Sequence, residues 1–327
     1  MAYVFIGFGL VLLVIGSESV LRGGVELSKF LGLSPLVIGL LIVSAGTSTP
    51  ELVVSLQAVL HDAPGLALGN VVGSNIVNLL LVLGFGALLR PIATSRKVVL
   101  RDGGMLIAAT LVLIAFVETG TMTRLDGLAL LVGFVAYVAL AYVTDRKPPP
   151  QARAGEAVPG AGAREALLAA MNVVFLVFGL VCLYFGGGYV VNGGVAVAQM
   201  YHIPPAVIGL TVVALGSSMP ELATTIVAAI RGHTALAIGN LIGSNIFNIL
   251  LVLGVTASVR PFAVSPLVAR GDIFVMATAA IALPLVLSLR WRLTRPQGGV
   301  LVLSYFAYLG FVAWRMGYFP LALPGTS

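Results

Sequence analysis

Gly46-Thr-Ser-Thr-Pro-Glu51 and Gly216-Ser-Ser-Met-Pro-Glu221 each place a carboxylate directly behind a Gly/Ser/Pro break inside an otherwise apolar segment, and the two carboxylates lie 170 residues apart. Each is followed at the same distance by a second motif, Gly69-Asn-Val-Val-Gly-Ser-Asn-Ile-Val-Asn78 and Gly239-Asn-Leu-Ile-Gly-Ser-Asn-Ile-Phe-Asn248. Residues 66–84 and 236–254 are identical at 14 of 19 positions. The same offset pairs Pro35 with Pro205, Arg90-Pro91 with Arg260-Pro261, Asp102 with Asp272, and Gly23-Gly24 with Gly193-Gly194. Polar side chains inside apolar segments of membrane length are costly unless they have a partner or a use. A group of acids and amides built twice therefore points to an ion site between two repeated halves of a transporter.

Composition fixes the environment. Hydrophobic residues make up 59% of the 327 and charged residues only 9%, with a mean hydropathy of +1.09. A soluble domain carries nearer a quarter charged residues, so the chain is expected to be an integral membrane protein. Its apolar runs have helix length, unlike the roughly ten-residue alternating segments of a barrel. Ten are expected, over 2–21, 34–60, 66–89, 103–119, 125–143, 167–191, 204–230, 235–259, 272–289 and 300–318. No Lys or Arg precedes the first run, so it reads as a retained spanning helix rather than a cleaved leader. Cys182 stands alone in an apolar run and reads as a packing residue.

The one long polar stretch, 144–165, is rich in Pro, Gly, Ala and charge and reads as a flexible connector. It divides the chain into a first five-helix repeat, 1–143, and a second, 166–327. Five is odd, so the second half must thread the membrane in the opposite direction. The expected fold is all-α, with ten transmembrane helices arranged as two inverted five-helix repeats. With loops alternating sides, fourteen basic residues (Arg22, Lys29, Arg90, Arg96, Lys97, Arg101, Arg146, Lys147, Arg153, Arg164, Arg231, Arg290, Arg292, Arg295) fall on one face. Four fall on the other: Arg124, Arg260, Arg270 and Arg315. The positive-inside rule makes the first face cytoplasmic. The linker is then cytoplasmic, both termini lie outside, and the net charge of +6 reflects membrane orientation rather than nucleic-acid binding.

On a helix, Ser44, Ser48, Glu51 and Ser55 share one face, with Thr47 a turn before Glu51. Asn70, Ser74 and Asn78 recur every four residues. The second half offers Ser217, Ser218, Glu221 and Thr225, then Asn240, Ser244 and Asn248. These are hard oxygen donors, and two carboxylates balance one divalent ion such as Ca²⁺; Na⁺ uses the same groups. His61, His202 and His233 lack metal-ligand spacing. Pro50 and Pro220 have no N–H, which is expected to free carbonyls near Ser44, Thr47, Ala214 and Ser217. Asn70, Asn75, Asn240 and Asn245 could serve either as ligands or as cross-links between helices. Glu18 is expected to pair with Arg22 at i+4, and Asp102 and Asp272 to cap helices.

At these paired motifs the chain resembles the cation/calcium exchanger superfamily, specifically prokaryotic sodium/calcium antiporters, over all ten helices. The resemblance implies that Glu51 and Glu221 are central ligands shared by Ca²⁺ and Na⁺. Thr47, Ser48, Ser74, Asn78, Ser217, Ser218, Ser244 and Asn248 would complete the sites, with carbonyls from Ser44 and Ala214. It also implies that helices 1 and 6 slide across the rest of the bundle. Some relatives carry Asp where Asn248 stands and Thr where Ser217 stands. The expected function is Ca²⁺ extrusion in exchange for Na⁺ across the cell membrane, with H⁺ coupling or K⁺ co-transport as the rival. A passive channel is the next alternative. An intramembrane hydrolase would need a base beside Ser217 or a metal motif, and the sequence offers neither. No cofactor, enzymatic activity, nucleic acid or obligate protein partner is expected; the partners are the two ions and the bilayer.

Overall fold

The computed structural model describes residues 2–31, 33–62, 64–145, 161–201, 214–264 and 271–315. The expectations for Arg146, Lys147, Arg153, His202, Pro205, Arg270 and both termini lie outside these residues. The chain is helical nearly throughout, because in lipid a segment must satisfy its own backbone. The helices are α1 (Ala2–Leu31), α2 (Pro35–Thr47), α3 (Thr49–Leu60), α4 (Gly65–Leu89), α5 (Val98–Glu118), α6 (Arg124–Asp145), α7 (Ala161–Met200), α8 (Ala214–Ser217), α9 (Met219–Arg231), α10 (Thr234–Val259), α11 (Ile273–Arg290) and α12 (Arg295–Arg315). Among the described residues eight of these are long and apolar enough to cross a membrane, and the bent pair α2–α3 supplies a ninth. The run expected over 204–230 is described only from residue 214 onward.

Several boundaries differ from expectation. Helix α6 continues through Thr144-Asp145 and α7 begins at Ala161, so both ends of the expected connector are helical. The segment Ala161-Gly-Ala-Arg-Glu-Ala-Leu-Leu-Ala-Ala170 is dense in strong helix formers, which outweigh its polarity. Asp102 lies within a helical stretch instead of capping one. It is fully buried, takes two bonds from Arg101 (2.7 and 3.0 Å) and accepts from Tyr137 (3.2 Å). Asp272 precedes α11 without capping it and is held by Arg315 (3.0 Å) and Tyr308 (3.2 Å). A carboxylate this far from water needs a cationic partner more than a helix end needs a cap.

Helices α4 and α10 form the centre, with 83% and 94% of their spanning residues buried. Helix α2 lies along α10 through Gly39, Gly239 and Gly243. Helices α1 and α7 run antiparallel along a glycine seam. A Cβ on Gly9 would stand 2.7 Å from the Gly186 carbonyl, on Gly16 2.8 Å from that of Gly179, and on Gly23 2.7 Å from that of Asn172. Small residues let the backbones touch where no hydrophobic effect drives helices together.

Contacts between the halves are crossed. Strand β1 (Ile92–Ala93) pairs antiparallel with β4 (Arg292–Leu293), while β2 (Thr121–Met122) pairs with β3 (Phe262–Ala263). Shifting β1 by 170 residues gives β3, and the same shift carries β2 onto β4, apart from one residue. Arg260 bonds the Val59 and Leu60 carbonyls at the end of α3 and pairs with Asp62. Its counterpart Arg90 lies against Gly232 at the end of α9. Both arginines favour the negative end of a helix.

The seam is testable. Gly16→Ala should lower the thermal stability of the detergent-purified protein by about 1–3 kcal/mol through overpacking, whereas Gly7→Ala, with open space around it, should be neutral. Equal melting temperatures for the two variants would contradict the close approach of α1 and α7.

Candidate functional site

The repeated motifs make the same backbone break twice. Ser48 (φ −86°, ψ 8°) separates α2 from α3, and Ser218 (φ −88°, ψ 7°) separates α8 from α9. Each following helix has Pro in its first turn, where a missing N–H costs least, and the Glu comes next. The α2–α3 pair bends by 43° at this point. Opposite the breaks, α4 and α10 contain π-helical turns, Val77–Val82 and Asn248–Val252, at Asn78 and Asn248. Such turns rotate side chains out of the regular helical register and concentrate at functional positions.

Glu51, Glu221, Asn78, Asn248, Ser48 and Ser244 are fully buried, and Thr47, Ser218 and Ser74 nearly so. The two carboxylates repel one another across the site. Site elements α2, α3, α4, α8, α9 and α10 contain no other acidic residue, and their one basic side chain is Arg231, at the end of α9. Oε1 of Glu221 accepts from Ser48 (3.1 Å) and Ser244 (3.4 Å), so each half supplies a donor. Among the described residues its Oε2 and both oxygens of Glu51 have no hydrogen-bond partner, nor do the Asn78 amide, the Asn248 Oδ1 and the Ser218 hydroxyl. The hydroxyls of Ser74 and Ser217 approach each other at 3.3 Å beside Glu51. Those of Thr47 and Ser244 do so at 3.4 Å beside Glu221. Buried oxygens left unpaired cost stability, and unpaired acceptors around two like charges are suited to a hard cation.

The remaining expected residues divide by role. Asn70 donates to the Glu51 carbonyl (3.2 Å) and to Ser55 (3.0 Å), tying α4 to α3. Asn75 donates to the Asn245 carbonyl (3.3 Å) and accepts from Asn248 (3.1 Å), joining α4 to α10. Asn245 donates to the Leu241 carbonyl (2.7 Å), and Asn240 accepts from Thr47 (3.2 Å). The expectation of a free Ser44 carbonyl is corrected. That carbonyl accepts from the Ser48 N–H (2.9 Å) and more weakly from Thr47 (3.4 Å), which leaves little capacity for a cation. Proline at 50 removes the bond to Gly46, four residues back, and the Ser48 N–H leans toward that carbonyl too. Ala214 opens the short turn α8. Sequence reading passed over Thr224, fully buried with an unpartnered hydroxyl one turn after Glu221; its counterpart is Val54, so the repeat does not reveal it.

A cavity of about 450 Å³ reaches Pro50, Ser217 and Pro220 past Gly188 and Asn192 of α7. The residue equivalent to Gly188 in the other half is Glu18. Glu18 does not pair with Arg22 as expected: Arg231 of α9 holds it through Nε (2.7 Å) and Nη2 (2.5 Å). Arg22 instead stacks over Phe175, 5.0 Å from the ring centre. Two donors of one guanidinium converge on Glu18 Oε1, a charge-assisted contact that outcompetes a pair along one helix.

An all-helical bundle with paired broken helices and buried carboxylates facing one another defines a membrane cation exchanger. The profile described as "Sodium/calcium exchanger protein" matches residues 1–143 and 171–314, and the chain belongs to that family. It is 37% identical over 316 residues to the putative antiporter CaxA of Alkalimonas amylolytica, covering 94% of this chain and 97% of that one. It is 31% identical to the sodium/calcium exchanger MaX1 of Methanosarcina acetivorans, covering 92% and 95%. Among solved structures, the sodium-calcium exchanger NCX_Mj soaked with 10 mM Na⁺ and zero Ca²⁺ superposes with a TM-score of 0.81 at 27% identity, covering 95% and 99%. The protein is thus a multi-pass membrane transporter of the cation/calcium exchanger superfamily.

The two asparagine roles can be separated. Asn75→Ala should destabilise the ion-free protein by about 1–3 kcal/mol, because it strands the Asn248 amide. Asn78→Ala removes a side chain with no partner; it should leave ion-free stability nearly unchanged and abolish the rise in melting temperature on adding Ca²⁺. Thermal unfolding with and without Ca²⁺ measures both, and an undiminished calcium shift in Asn78→Ala would remove that residue from the site.

Proposed function

We propose that the protein exchanges Ca²⁺ for Na⁺ by alternating access, binding both at Glu51 and Glu221. The observation that carries this reading is the pair of buried carboxylates with three oxygens that have no partner, and no cationic side chain paired with them, among the described residues. Thr47, Ser48, Ser74, Asn78, Ser217, Ser218, Ser244 and Asn248 complete the oxygen shell, with the Ala214 carbonyl as its weakest member; the Ser44 carbonyl, already engaged, is left out. Sodium is favoured as counter-ion because hydroxyl, amide and carbonyl oxygens suit it, and because MaX1 and NCX_Mj are described as sodium/calcium exchangers.

The two halves are read as inverted repeats of five helices each, ten in all, joined by a cytoplasmic connector with both termini outside. The antiparallel α1–α7 seam, the crossed strand pairs and the separate family matches over 1–143 and 171–314 support this reading. In this arrangement α1 and α7 slide together over the other helices. Access differs between the two approaches to the site: a cavity lies beside Gly188, while the equivalent approach beside Glu18 is bridged to Arg231.

Glu51→Gln and Glu221→Gln should each reduce Ca²⁺ uptake into Na⁺-loaded proteoliposomes at least about a hundredfold, since half of the divalent charge would go uncompensated in a low-dielectric site. Near-normal uptake by either folded variant would refute the assignment, and uptake driven equally by H⁺ or K⁺ gradients would replace Na⁺ as counter-ion.

Stoichiometry follows from charge. With two fixed anions, one Ca²⁺ leaves the site neutral and three Na⁺ leave it near +1. We favour three, so exchange should respond to an imposed voltage at about 2.3 kcal/mol per charge per 100 mV. A Ca²⁺ flux indifferent to a K⁺/valinomycin potential would establish electroneutral exchange of two Na⁺ instead.

A further inference from the structure

The hairpin between α11 and α12 carries Arg290, Trp291, Arg292 and Arg295, all exposed. Strand pairing of Ala93 with Arg292, and a 2.9 Å bond from the Thr94 N–H to the Trp291 carbonyl, bring the loop bearing exposed Arg90 and Arg96 to the same end of the molecule. Arg295 donates to the Leu89 carbonyl (3.3 Å); among the described residues Arg290 and Arg292 have no ion-pair partner. The quasi-equivalent end, at β2 and β3, carries Glu118 and Asp126 beside Arg124, and Arg260 there is paired with Asp62, so among the described residues unpaired positive charge is concentrated at the β1–β4 end.

A groove of about 700 Å³ opens from this hairpin between α11 and α12, floored by Leu80. Leu289, Leu293 and Pro296 line it next to the arginines, and Phe274 and Ser304 line it at the far end. From Leu289 to Phe274 is fifteen residues of helix, about 22 Å at 1.5 Å per residue. That exceeds the roughly 15 Å of hydrocarbon in one leaflet, so the groove can hold an extended acyl chain. In the first half, Phe116 and Phe134 stand where Val286 and Ser304 stand here, and Phe134 packs edge-on against Phe247 at 5.4 Å. Room for a chain and unpaired positive charge therefore occur together, in the second half.

We propose that this groove binds one anionic phospholipid, with an acyl chain between α11 and α12 and the phosphate on Arg290 and Arg292. Arginine presents a fork of donors that matches phosphate oxygens, and basic residues at a membrane surface select anionic headgroups. The groove wall is almost wholly apolar, which fits an acyl chain and offers nothing to a soluble anion. The site is separate from Glu51 and Glu221.

Trp291 lies between the two arginines, and the chain has only one other tryptophan, Trp314. The Trp314→Phe protein is reconstituted in phosphatidylcholine vesicles containing a minor fraction of phosphatidylglycerol or phosphatidylcholine brominated near the acyl carbonyl. Quenching of Trp291 should report a roughly tenfold preference for phosphatidylglycerol. Arg290→Gln/Arg292→Gln should erase the preference, and Arg290→Lys/Arg292→Lys should retain much of it. Ser304→Phe, which installs the first-half residue, should reduce it with both arginines in place. Equal quenching by the two lipids, or a preference that survives the double Gln change, overturns the proposal. A preference unaffected by Ser304→Phe overturns the groove and leaves only surface attraction. A Trp291 emission change with inorganic phosphate in detergent, without selective quenching in vesicles, assigns the arginines to a soluble anion and also overturns it.

Discussion

Two buried carboxylates, with no cationic side chain paired to them among the described residues, set the terms for the rest of this structure. Each loses its hydration on burial and each repels the other, so the ionised pair is tolerable only when oxygens and a cation replace water. The hydroxyls and amides of α4 and α10 supply the oxygens, and these helices are consequently the most buried in the molecule. Breaks at Ser48 and Ser218 turn each Glu into the centre while Pro occupies a first-turn position, where a missing N–H costs little. Outside this core the bundle has only to be apolar, and α1, α6 and α12 expose Val, Leu and Phe to lipid.

The two sides of the site are not equivalent even though the motifs are. Glu221 has one oxygen held by donors from both halves; Glu51 has none held. The cavity adjoins Pro50, Ser217 and Pro220, at the breaks that precede the two carboxylates. On the opposite approach the Glu18–Arg231 bridge ties α1 to α9, the helix that begins just before Glu221. An exposed ion pair is worth roughly 1 kcal/mol or less, a bias that a moving helix can overcome. The glycine seam holds α1 and α7 in backbone contact, so the sliding proposed for them would carry both together.

Much of this was legible in the sequence. The offset of 170 residues paired the motifs that carry the two buried glutamates, and hydropathy placed most of the described helices within several residues, although α1 runs on to Leu31 and α7 to Met200, well past the expected ends at 21 and 191. Misreadings occurred where a side chain had a choice of partners. Glu18 had Arg22 one turn away, yet took Arg231, 213 positions along the chain. Asp102 and Asp272 looked like helix caps and proved to be a buried and a partly buried acid, each held by an arginine and a tyrosine. Asn70 and Asn75, evenly balanced between ligand and cross-link, make hydrogen bonds between helices.

By itself the sequence determined the membrane setting, the doubled motifs and the glutamate that each motif carries, because hydropathy, spacing and charge are local properties that survive in a one-dimensional string. Tertiary structure decided which oxygens remain open, which amides join helices, which carbonyl near the break is already engaged, and which approach is bridged by an ion pair. Those outcomes depend on competition for hydrogen bonds between groups far apart in the chain, and only packing determines who competes.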